Sequence, residues 1–327
     1  MYWGLFQSQE RAEARYAESY FGGDQSDYDV VKVDIGEDWN LYNIEATDGT
    51  LDRWEEVWNY CQEDFSDDEN YYALQGLNPD GSRNPDLPVL VDVDNLIDYM
   101  LIVFYTGNFD APVTKFSGEN NPNNFYAIIN RDGDTGFRFY AHDNEHTLLI
   151  DPVGPGDGID ENRVEINMNL AGFHKFHPQW LHEKLTANAN YRLRFADHVY
   201  RHMFNGGVLT PDSTAPLFQQ RAEEIEMAII AESARWGDAR VGTPRTNDDD
   251  WLPMIDAVVN DYFPQRHNIV LDQLRDAGLY PSLDPPGFSL NPGTVTAGTS
   301  LEITAGNGSI IYTLNGADPS AGNGLEY

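Results

Sequence analysis

Two carboxylates in contrasting contexts open the chemical reading of this sequence. Asp110 follows Gly107-Asn-Phe, immediately past a strongly apolar helical repeat, and Asp143 follows Phe137 to Ala141, an apolar segment with strand character. Each is therefore held by a rigid element while its side chain is free to reach a ligand. Metal-assisted phosphoryl transfer uses such a pair, one carboxylate orienting the acceptor hydroxyl and another holding Mg through oxygen. A lysine on a neighbouring strand would complete the set by pairing with phosphate oxygens, and Lys32 lies between Val31 and Val33 in an alternating run. Loop aspartates more commonly serve as turn and cap residues, so spacing alone leaves that structural reading open. A rival chemistry comes from His142-Asp-Asn-Glu-His146. On a helix His142 and His146 would share a face at i, i+4 and could grip zinc for hydrolysis. In an extended chain the run divides instead into an imidazole set and a carboxylate pair, Asp143 with Glu145.

The elements that must position these residues are legible from periodicity. Met1 to Phe6 reads as a strand, Ser8 to Tyr20 as a helix stopped by Phe21-Gly-Gly-Asp24, and Asp29 to Asp34 as a short strand. Thr50 is placed to cap a helix carrying Leu51, Trp54, Trp58 and Cys61 on one face, and Asp92 a helix carrying Val93, Leu96, Ile97, Met100, Leu101 and Phe104. Gly107 ends the latter. Phe125 to Asn130 and Phe137 to Ala141 form a hairpin about Asp132-Gly-Asp-Thr-Gly136. Beyond the glycine-rich stretch 151–160 the pattern is helical, with a start at Pro178, a stripe of Tyr191, Phe195 and Val199, a helix from Thr214 to about Ala234, and another from Asp250 towards Leu274. Three prolines within Pro281 to Pro286 mark a linker, after which short Thr-, Gly- and Ser-rich alternating segments suggest a small β-sandwich.

Composition bounds the possible partners. Against 20 basic residues stand 54 acidic ones, a formal net charge of -34, which repels a phosphate backbone and argues against nucleic acid. The single cysteine, Cys61, excludes an intrachain disulfide framework and a cysteine-based zinc cluster. No run approaches the length of a membrane span, and no signal peptide opens the chain. The tryptophans would suit sugar stacking in a surface binding protein, but the helical spacing of Trp54 and Trp58 favours core burial.

Several stretches in order resemble the CotH kinase family: Trp3-Gly-Leu-Phe-Gln-Ser-Gln-Glu-Arg11, Tyr20 to Lys32, Val91 to Met100, Gly107-Asn-Phe-Asp110, Asn124-Phe-Tyr126, Phe139 to Thr147 and Ala234-Arg-Trp-Gly-Asp238. The resemblance covers roughly residues 1 to 275. It implies an α+β, atypical protein-kinase-like domain over 1–280 with a helical C-terminal half, using ATP and Mg or Mn. It further implies Asp110 as catalytic carboxylate, Asp143 as metal ligand, Lys32 as the phosphate-pairing lysine, Glu10 as its partner, and Asn124 as a cofactor-binding or second metal-binding group. Many members carry Trp where this chain has His142. The family also has strands before the segment at Gly4, so an N-terminally truncated domain is expected. Past the 281–286 linker, residues 287–327 resemble part of a chitobiase/β-hexosaminidase C-terminal β-sandwich, which implies an extracellular or surface address and possible polysaccharide association. The implied function is transfer of phosphate from ATP to a protein or other hydroxyl acceptor. Its alternatives are a non-catalytic binding or adhesion protein on the same scaffold and the His142/His146 hydrolase.

Overall fold

The computed structural model describes residues 4–6, 8–118, 121–152, 154–166, 172–290, 293–315, 319, 322 and 324–327. Its centre is a four-stranded antiparallel sheet of order β2-β1-β3-β4, built from β1 (Tyr28–Asp34), β2 (Asn43–Asp48), β3 (Phe125–Asn130) and β4 (Arg138–Ala141). Pairing runs Val31 opposite Ala127 and Tyr126 opposite Tyr140, so alternate residues divide cleanly between two faces. Val31, Phe125, Ala127, Ile129 and Phe139 enter the main core, whereas Tyr28, Val30, Tyr126 and Ile128 form a second, smaller layer with Ala14 and Ala17. Those two alanines belong to α1 (Ala14–Phe21), whose small residues let it lie close to the sheet.

The main core is helical on its other side. In α2 (Asp52–Tyr60) Trp54 is fully buried against Phe137, Phe139 and Phe176, and Trp58 stacks on Trp180 with ring centroids 5.3 Å apart. Burying a side chain of that size stabilises the fold by about 3 kcal/mol. Below it, α3 (Asp68–Ala73) leads through a polar loop to α4 (Val93–Thr106), the most apolar helix of the fold. The Asp92 carboxylate accepts from the Asn95 amide at 3.1 Å, a cap worth about 1 kcal/mol, and Gly107 closes the helix at φ 61°. Next come α5 (Pro178–Leu185), α6 (Ala189–Met203) and the long α7 (Pro211–Trp236). A wide π turn at Asn247–Trp251, α8 (Leu252–Ala257), a second π turn at Val258–Tyr262 and α9 (Phe263–Asp276) complete the helical half.

The α+β class expected from the sequence is the one observed. Several local expectations are corrected. Residues 4–6 carry no strand, while the expected strand's first residues, Met1 to Trp3, lie outside the described residues. The first helix starts at Ala14 rather than Ser8 because the segment before it lacks an apolar face to bury. Thr50 is not the cap of α2; its hydroxyl accepts from the Asp52 amide at 3.3 Å, and Leu51 holds the cap position. The single helix expected from Asp250 is broken into α and π turns. Strand β2 had no expectation at all, since its polar sequence Asn-Ile-Glu-Ala-Thr-Asp places one side chain, Ile44, in the core. Finally, the described residues beyond 286 form two separate two-stranded pairs, β5 (Gly287–Phe288) with β6 (Ile303–Thr304) and β7 (Ile311–Tyr312) with β8 (Leu325–Glu326). No sandwich is assembled among them.

Candidate functional site

The end of α4 delivers Asp110 into a short, heavily braced loop. Arg266 of α9, fully buried, donates to the carbonyls of Tyr105 at 3.0 Å, Phe104 at 2.5 Å and Ile159 at 2.8 Å, and the Tyr262 hydroxyl donates to Tyr105 O at 3.2 Å. Tyr105 O is a last-turn carbonyl of the kind a helix end leaves without a partner, and the bonds to Phe104 O and Ile159 O tie α9 to the end of α4 and to the turn at Ile159. Asn108 then accepts from the Asp110 amide at 3.0 Å and donates to Asn144 Oδ1 at 2.9 Å, joining the loop to the segment that follows β4. Beyond the cis Ala111–Pro112 peptide, Lys115 binds the buried Glu161 carboxylate at 3.0 and 3.1 Å, and Asp157 at 3.0 Å.

Asp110 is buried, 8% exposed. Its Oδ2 accepts from Asn124 Nδ2 at 3.0 Å, and the same amide group lies 3.5 Å from the backbone carbonyl of Asp143. Asp110 Oδ1 is buried with no hydrogen-bond partner among the described residues. Asn124 and Asp143 both hold left-handed backbones, at φ 46° and 53°. That conformation costs of order 1 kcal/mol outside glycine, less for Asn and Asp, and each of these two residues flanks a strand edge, where it turns the chain towards Asp110. The structure thus brings Asp110, Asn124 and Asp143 together.

Lys32 lies on β1, in the same sheet as β3, the strand that Asn124 precedes. It shares a face with Tyr126, and its ammonium lies 3.3 Å from the carboxylate of Glu45, its cross-strand neighbour. Glu10 accepts from the Tyr20 hydroxyl at 2.5 Å. The missed strand β2 supplies the carboxylate beside Lys32. His142 packs edge-on against Tyr126, whose hydroxyl accepts from Arg11 at 3.1 Å. Burial holds the His142 imidazole below its ordinary range; Arg11 and Lys32 push the same way and Asp143 opposes them.

Residues 142–146 are not helical, so His142 and His146 do not form the i, i+4 pair that a zinc hydrolase of this type would need. His146 sits between Phe109 and Phe116, with ring centroids 5.0 and 4.8 Å away. The carboxylates do remain neighbours: the Glu145 carboxyl is raised, by partial desolvation first, and the adjacent Asp143 adds to the rise while a backbone hydrogen bond works against it. Glu145 and Arg11 were not singled out as site residues from the sequence. Both stand in the runs His142 to His146 and Trp3 to Arg11, but nothing in their spacing distinguished them from solvated charges.

The family model described as CotH kinase protein matches residues 1–268. The chain belongs to the CotH kinase family. No curated protein and no solved structure matches the chain at a significant level.

Proposed function

We propose that this CotH kinase family member transfers the terminal phosphate of ATP to a hydroxyl acceptor, protein or small molecule, outside the cell. The observation that carries the reading is Asp110: a buried carboxylate with one oxygen fixed by Asn124 and the other unpartnered. A buried acceptor left unsatisfied costs about 1–3 kcal/mol, more for a charged group, so its persistence suits a ligand hydroxyl or cation arriving at Oδ1.

The donor set fits a hard divalent ion. The Asp110 carboxylate and the backbone carbonyl of Asp143 both lie beside the Asn124 amide, and Mg or Mn takes oxygen ligands of these kinds. On this reading Asp143 and Asn124 hold the ion, which supplies neutralisation of phosphate charge when bound. Asp110 accepts and orients the acceptor hydroxyl's proton at Oδ1. Lys32, drawn from Glu45, attracts phosphate oxygens, and Arg11 adds a second cation in an otherwise acidic protein. Glu10 remains a cofactor-binding candidate through its place beside Arg11 in the sequence. Residues 1–280 are taken as the kinase unit and residues 287–327, after the 281–286 linker, as related to a chitobiase-type module. That module is the basis for proposing a surface or polysaccharide-associated location; no helix is long and apolar enough to cross a membrane among the described residues.

A binding protein without turnover would use the same scaffold. Against a row of sugar-stacking aromatics, Trp54, Trp58 and Trp180 are tied up with Phe176 in the core. Incubation of the parent protein with γ-labelled ATP and Mg or Mn, followed by recovery of label on an added acceptor or on the protein itself, tests the reading. Transfer that needs the divalent ion supports it; ATP binding without any transfer would leave the scaffold alternative.

A further inference from the structure

A second group of metal-binding side chains lies on the seam between α4 and α6, well away from the carboxylates about Asp110. His198 and His202 are four residues apart on α6 and so project from one face towards α4. There, Asp98 Oδ1 lies 2.6 Å from His198 Nδ1 and 2.9 Å from His202 Nε2. The three donor atoms all lie within 4.8 Å of one another. Donors on a tetrahedral zinc ion sit roughly 3.3 Å apart, given bonds of about 2.0–2.1 Å, so only a small side-chain adjustment separates this arrangement from coordination.

The surroundings are those of a built site. The other ring nitrogen of His198, Nε2, meets Asp94 Oδ1 at 2.9 Å, and the Arg194 guanidinium fixes Asp94 at 2.6 Å. Arg194 is itself held by Gln75 at 2.8 Å. A carboxylate on the far nitrogen of a ligating histidine fixes the ring's tautomer and orientation, and such partners commonly change metal affinity by 10–100-fold. His198 is 3% exposed, whereas the side chains of His202 and Asp98 are 21% and 43% exposed. One side of the cluster is therefore rigid and dry, and the other is open to solvent for a fourth ligand.

We propose that Asp98, His198 and His202 form a site for a nitrogen-preferring divalent ion of the zinc type, with water in the fourth position. Two imidazoles disfavour Mg, which takes oxygen ligands, so this site is distinct from any that serves a nucleotide. Asp98 stands eight residues before Thr106, about 12 Å up α4 from the turn that presents Asp110. An ion here would clip α6 to the helix that positions the candidate catalytic loop, a stabilising role for the fold.

The test uses the full chain stripped with chelator and titrated with cobalt, whose visible absorption reports tetrahedral nitrogen and oxygen ligation, then with zinc to displace it. One equivalent of cobalt should give the tetrahedral band. His202→Gln and Asp98→Asn, both at partly exposed positions, should each weaken binding by at least about 10-fold while retaining the parental circular dichroism. Asp94→Asn should weaken it within the same range but keep the tetrahedral band. Asp143→Asn should leave the titration unchanged. Absence of the band in the parent, or an equal band and affinity in both His202→Gln and Asp98→Asn, would overturn the proposal and leave a hydrogen-bonded clamp between two helices.

Discussion

Asn124 holds Asp110: its amide donates to Oδ2 at 3.0 Å from a backbone fixed in the left-handed region, at φ 46°. The conformation and the hydrogen bond make separable demands on this position. Glycine satisfies the first and not the second. Asn124→Gly should therefore leave the backbone unstrained but lower stability by about 1–3 kcal/mol, the cost of leaving the buried Asp110 Oδ2 without its donor. It should also lower phosphate transfer by about 10-fold or more, since Asp110 loses its anchor. Calorimetry together with a transfer assay separates the two effects. Equal transfer by the glycine variant would show that the Asn124 amide does not position Asp110.

Two buried histidines set an acid limit on the fold. His177 caps α5 by accepting from the Trp180 amide at 3.1 Å, and His182 Nδ1 lies 2.6 Å from the Tyr191 hydroxyl. Burial lowers both imidazoles from 6.5 to about 3. Because the folded value is depressed, the unfolded chain takes up protons first as pH falls. Their contribution is complete above about pH 6.5 and is lost progressively towards pH 3. At pH 5 the loss is roughly 2 kcal/mol for each histidine. His177→Asn retains a capping side chain without the titration, so denaturant unfolding at pH 7 and pH 5 should show a smaller acid loss by about that amount. The same acid loss as the parent would refute the assignment to His177.

Asp143 is expected to carry the ion. In the presence of nucleotide, Mg or Mn should raise the melting temperature of the parent, since a ligand bound only by the folded state stabilises it by mass action. Asp143→Asn keeps a residue that tolerates φ 53° yet removes the charge, and most of the gain should go with it. Thermal melts with and without the ion measure this directly, and an undiminished gain would move the ion elsewhere.

Helix α4 and hairpin β3-β4 were legible in the sequence because burial there follows a simple period. Val93, Leu96, Ile97, Met100 and Phe104 repeat at helical spacing behind a capping Asp92, and their side chains are almost wholly buried. Asp110 and Asp143 stood out because each follows such an element. The brace around them did not stand out. Arg266, which ties α9 to the end of α4, is 156 residues from Asp110 in the chain, and a lone arginine in an amphipathic helix carries no sign of burial. The Lys32–Glu45 pair was hidden for a related reason. Strand β2 is too polar to announce itself, so Glu45 was invisible as a cross-strand neighbour. Similarly, His142 to His146 alternate only if extended, and the left-handed turn at Asp143 ends that alternation.

Pro281 to Pro286 should be the most accessible junction of the chain. The residues there are mostly exposed, and backbone hydrogen bonds across it are few beside those of α4. Limited proteolysis should cut first between 281 and 286 and leave a resistant fragment of about 280 residues, which mass spectrometry would identify. First cleavage inside Val93–Thr106 would contradict this division.

Asp110 is expected to act on the acceptor hydroxyl and to contribute little to holding the nucleotide. Interactions made only in the transition state affect turnover and leave ground-state affinity nearly intact. Lys32 supplies the contrast, because an ammonium on phosphate oxygens acts in both states, so Lys32→Ala should weaken binding and transfer together. The deciding measurement is ATP affinity and single-turnover phosphate transfer on the same preparations of parent and Asp110→Ala. Asp110→Ala should keep parental affinity while transfer falls by about 10²-fold or more. Transfer at the parental rate by Asp110→Ala would contradict that role.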